Sequence, residues 1–147
     1  MTAVIEPEAP GAAFLPATEA ELMNIQNHIP DERHLNTHVG SRSVPTDIAG
    51  LLADIQQSSF VHFGCHGMQN LKNPLEGYLL LSGGKLTMSD IMKECKVPEG
   101  ALAYLSACET AKTDDVRPDE SLNLVATMMF AGFRSVVGTM WYVNPYV

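Results

Sequence analysis

The run ALAYLS at residues 101–106 is apolar almost throughout, has the length of a strand and is bounded by turn signals. Such a run fits a strand covered on both faces, since a strand with one wet face alternates apolar and polar positions. A second run, SSFVHFG at 58–64, puts Val61 and Phe63 where a pleated surface needs filling. Helical patterns separate such runs along most of the chain. Strands alternating with helices imply a parallel or mostly parallel sheet with helices on both faces. In sheets of that kind the working crevice lies outside the carboxyl ends of the strands.

The remaining elements follow from period and punctuation. TAVIE near the start reads as a short strand, and PEAPGAAFLPA after it as an irregular connection. Thr18 with Glu21 forms a capping-box pattern ahead of Leu22, Ile25 and Ile29, and Pro30 stops that helix. Asp31 to Ser43 reads as loop, with an extended piece near Leu35. Thr46 is the expected cap of a second helix carrying Ile48, Leu51, Leu52 and Ile55 on one side. YLLL, SGGK and LT read as strand, tight turn and returning strand, and Ser89 with Asp90 as the start of a short helix ending before Pro98. Residues 121–131 are apolar on nearly every side, which predicts a buried helix closed by Gly132, and RSVVGTMW reads as one more strand.

The totals narrow the function. At 147 residues, 46% apolar and 18% charged, the chain fits one domain with a real core. A formal charge of −8 disfavours a nucleic-acid backbone or an anionic membrane as partner. Three cysteines without CxxC spacing signal neither a disulfide framework nor a zinc ribbon, so the reducing cytoplasm is the expected compartment. No run reaches the length of a membrane span, and no signal peptide is recognisable.

Two strand ends carry reactive residues: VHFGCHG at 61–67 and LAYLSACET at 102–110. Successive parallel strands tend to be neighbours, so His66 and Cys108 are expected at the same sheet edge. A thiol beside an imidazole has a raised thiolate fraction, which makes the pair a candidate Cys/His dyad. Gly67 lets backbone approach a substrate, and its N–H, with that of Cys108, is a candidate oxyanion donor. Equally, a cysteine is commonly a small buried hydrophobe, which is how Cys65 and Cys95 read. His62 reads as a structural histidine, and with no third ligand at usable spacing no metal site is expected. Asp114, Asp115 and Asp119 either line a pocket for a basic substrate side chain or belong to a solvated loop with Asp119 as a helix cap. His28, His34 and His38 show no usable spacing.

HFGCHG, then NPLEGYLLLSGGKLTMSDI, then LAYLSACETA, then DESLNLVATMMFAGFRSVVGTMW stand in that order between residues 62 and 141, within a likeness that covers roughly residues 15–142. Together they resemble the CHAT domain, a cysteine peptidase family related to separase and the caspases and often found with tetratricopeptide (TPR) repeats. The resemblance implies a caspase-like three-layer sandwich with a mostly parallel central sheet, here shortened at both ends. It implies His66 and Cys108 as the catalytic pair, Gly67 as an oxyanion donor, and peptide-bond hydrolysis through an acyl-enzyme without a cofactor. The implied partners are a protein or peptide substrate and a TPR-containing or other protein. The alternative is an inactive CHAT-like fragment that serves as a protein-interaction module.

Overall fold

The computed structural model describes residues 1–70, 72–107 and 123–139. Five parallel strands form the main sheet: β1 (Thr2–Ile5), β2 (Asn36–Val39), β3 (Phe60–Gly64), β7 (Leu102–Ser106) and β8 (Ser135–Gly138), in the order β2-β1-β3-β7-β8. Helix α1 (Ala17–His28) leads from β1 to β2, and α2 (Ile48–Gln56) leads back past β1 to β3. The direction of winding therefore reverses at β1. Three short antiparallel strands, β4 (His66–Met68), β5 (Tyr78–Leu81) and β6 (Gly84–Thr87), form a second sheet, followed by α3 (Met88–Glu94). Helix α4 (Leu124–Ala131) precedes β8. This is an α/β sandwich of the caspase-like kind. Among the described residues no helix is long and apolar enough to cross a membrane.

Alternation along each strand divides the two faces of the main sheet. Val4, Val61, Phe63, Ala103 and Leu105 turn to one side, where they meet Leu51, Leu52 and Ile55 of α2 and the buried residues of α3 and α4. Leu79, Leu81 and Leu86 of the second sheet join the same cluster. His62 and Gly64 turn to the other side, toward α1.

Several elements depart from the sequence expectations, each for a physical reason. Thr18 does not cap α1; it lies inside the helix, buried, and donates to the Leu15 carbonyl at 2.8 Å. Glu21, its expected capping partner, reaches into the sheet instead. Thr46 yields its cap to Asp47, which accepts from the Ala49 N–H, because the Thr46 hydroxyl is drawn to the Glu6 carboxylate. Thr87, not Ser89, caps α3, with Asp90 completing the capping box. Part of the expected 31–43 loop is strand β2, paired in parallel with β1. Strand β7 is not covered on both faces, since Tyr104 is 44% exposed. Nor is α4 buried all round: Met129 and Phe130 face solvent, while Gly132 closes the helix in the left-handed conformation as expected.

One buried carboxylate joins the two sheets. Glu6, fully buried at the end of β1, accepts from the Ser82 N–H at 2.8 Å and from the Thr46 hydroxyl. A Cβ on Gly40 would collide with both Glu6 oxygens and with the Ser82 hydroxyl, so glycine there leaves room for the network. A Glu6→Ala variant strands these buried donors and is expected to lose about 2–3 kcal/mol of stability, measured by urea unfolding.

Candidate active site

Strands β3 and β7 are paired so that Gly64 stands opposite Ser106. The chain leaving β3 passes through Cys65 to His66, and the chain leaving β7 passes through Ala107 toward Cys108. The two motifs singled out in the sequence thus leave the sheet side by side, at the carboxyl edge and next to the switch point at β1. Cys108 itself lies outside the described residues, as do Asp114, Asp115 and Asp119.

Four contacts hold these strand ends. The Glu21 carboxylate, from α1, takes the Ser106 hydroxyl at 2.6 Å on one oxygen and His62 Nε2 at 2.8 Å on the other. Helix α1 comes this close only because residue 64 has no side chain: a Cβ there would lie 2.9 Å from the Glu21 carboxylate and 3.2 Å from the Thr18 methyl. The His62 ring is also stacked on Tyr104, with centroids 5.4 Å apart and planes 11° from parallel. On the far side, the Ala107 carbonyl accepts from the Thr139 hydroxyl, beyond the end of β8. Residues 106 and 107 are therefore fixed from two directions.

His66 is oriented by a backbone group. Its Nε2 lies 2.8 Å from the Ala13 carbonyl oxygen. A carbonyl can only accept, so Nε2 carries the proton and Nδ1 is the basic nitrogen of the neutral ring. The Ala13 carbonyl is held by a compact fold of the 7–16 segment. Leu15 N–H donates to the Pro7 carbonyl at 3.0 Å and Ala12 N–H to the Ala9 carbonyl at 3.2 Å, around Gly11 at φ 75°.

The neighbouring thiols are chemically quiet. Cys65 is buried, and loss of solvation, with the charges of Glu6 and Glu21 behind it, pushes its pKa far above the ordinary thiol value. Burial pushes the Cys95 thiol up to about 11. Gly67 lies in β4 opposite Leu79. His62 is paired with Glu21, while His66 belongs to the second sheet, and no group of three or more His, Cys, Asp or Glu among the described residues is arranged to hold a metal ion.

Sequence patterns did not point to Ala13 or to the role of Glu21. Ala13 acts through its backbone and leaves no side-chain signature. Glu21 satisfies a capping-box spacing by coincidence, so local pattern favoured the wrong partner.

The model of the CHAT domain matches residues 2–145, wider than the span of the four quoted motifs. The chain belongs to the CHAT domain family. The CHAT domain is a caspase-like family related to cysteine peptidases, and the α/β sandwich described above agrees with that kinship. No curated protein matches the chain.

The bond to Ala13 gives a spectroscopic expectation. Long-range ¹H–¹⁵N NMR of the native chain at pH 8 should report His66 as the Nε2-protonated tautomer, with Nδ1 at the unprotonated shift. The opposite tautomer would contradict the arrangement.

Proposed function

We propose that this CHAT domain is a cysteine endopeptidase in which Cys108 is the nucleophile and His66 the general base and acid. The observation that carries the proposal is the His66–Ala13 bond, which assigns the ring proton to Nε2 and turns the imidazole into a base at Nδ1. The in-register pairing of Gly64 with Ser106 supports it further, because both motifs leave the same edge two residues from their reactive side chains.

Chemically, His66 Nδ1 takes the Cys108 proton and the thiolate attacks the carbonyl carbon of the scissile peptide. The N–H groups of Gly67 and Cys108 stabilise the oxyanion of the tetrahedral intermediate. That intermediate collapses as the imidazolium protonates the departing amine, leaving a thioester on Cys108. Water, deprotonated by His66, attacks the thioester, and the acid product leaves with Cys108 restored. No cofactor takes part. Asp114, Asp115 and Asp119 are proposed to offer a negative pocket to a basic side chain of a cytoplasmic protein substrate, delivered by a TPR-containing or similar partner.

The test is cleavage of a peptide library derived from a whole proteome, read as new amino termini by mass spectrometry. Native protein should generate a defined set of termini, and Cys108→Ala should lower their rate by at least about 10³-fold with the circular dichroism spectrum unchanged. An identical set from Cys108→Ala would refute the proposal.

A further inference from the structure

Register in the second sheet places His66 on the same face as residues that border an open cleft. His66, Leu80 and Lys85 stand opposite one another across β4, β5 and β6, and Met68, Tyr78 and Thr87 form the next such row. Residues directly opposite in an antiparallel sheet share a face. The intervening positions, Leu79 and Leu86, are buried in the core. His66 and Met68 therefore share the outer face, two residues apart, or about 7 Å along the strand.

Beyond His66 this face opens into a cleft of 860 Å³ bordered by Met68, Leu75 and Tyr78. Met68 is 55% exposed and Leu75 45% exposed, so two large apolar side chains stand largely in water here. The charged groups at its rim balance, Lys72 and Lys85 against Glu76 and Asp90. Both carboxylates are already engaged: Glu76 takes the side-chain amides of Asn70 and Asn73, and Asp90 takes the Thr87 backbone N–H and hydroxyl. Lys85 lies over the Tyr78 ring, its ammonium 4.2 Å from the centroid. Apolar surface is the larger share of the cleft's lining, so an apolar side chain is what it best accommodates.

The chemistry of the dyad says which part of a substrate arrives there. The histidine of a thiol peptidase must reach the leaving nitrogen to protonate it, so the chain that continues from that nitrogen lies on the histidine's side. An extended peptide advances about 3.3–3.6 Å per residue, so its second residue past the cleaved bond comes about 7 Å beyond the imidazole. We propose that the cleft at Met68, Leu75 and Tyr78 binds an apolar side chain of the substrate, carried by the second residue after the scissile bond. This specificity site rests on the peptidase reading given above.

New amino termini report that position directly, since the released fragment begins with the first residue after the cut. Native protein should yield termini enriched in leucine, methionine or phenylalanine at their second position. In synthetic peptides, the preference for Leu over Ser at that position, as a ratio of kcat/KM, should fall at least about tenfold in Met68→Lys and persist in Met68→Leu. Met68 is exposed, so neither change threatens the core. Cys108-dependent termini without enrichment at the second position, or an unchanged ratio in Met68→Lys, would overturn the specificity site alone. Absence of any Cys108-dependent termini would overturn the peptidase reading and the site with it.

Discussion

Everything at the candidate site depends on the parallel pairing of β3 with β7. Their register sets Gly64 against Ser106, and Ser106 and Ala107 are held there by Glu21 and Thr139. A slip of one residue between them would turn one strand over, putting either Phe63 out and His62 in or Leu105 out and Tyr104 in. Burial of Val61, Phe63, Ala103 and Leu105 on one side thus fixes, through the backbone, where the chain leaves the sheet after Gly64 and after Ser106. The stacked His62–Tyr104 pair and the Glu21 bridge confirm the same register from the opposite face.

The polar interior is used for alignment. Glu6 ties the end of β1 to the turn of the second sheet, and Glu21 ties α1 to both central strands. Each acidic group is satisfied by neutral donors or by an imidazole, which is how a carboxylate is kept inside without a large desolvation penalty. Glu6 and Glu21 flank in sequence the loop between β1 and α1, whose Ala13 carbonyl accepts from His66 Nε2. The proline-rich connection after β1 is thereby part of the site and not a mere link between elements.

Much of this arrangement was legible in the residues. Apolar runs at 60–64 and 102–106 declared the central strands, and the small reactive residues after them declared the edge. What escaped was set by contacts distant in sequence. Strand β2 carries Asn36, Thr37 and His38 on a wet sheet edge, so no alternation marks it. Thr46 and Glu21 fit capping patterns that tertiary hydrogen bonds overrode. Met129, Phe130 and Tyr104 are apolar or aromatic and yet exposed, a property that composition cannot separate from burial. The Ala13 carbonyl has no side-chain signal of any kind.

The central claim is that His66 and Cys108 work as one ionising pair. Its most direct measurement is the pH dependence of iodoacetamide labelling at each cysteine, followed by mass spectrometry in the native chain and in His66→Ala. An assembled pair predicts rapid labelling of Cys108 near neutral pH, lost in His66→Ala, while the buried Cys65 and Cys95 stay slow in both. Equal, slow labelling of all three cysteines, unchanged by His66→Ala, would contradict the account.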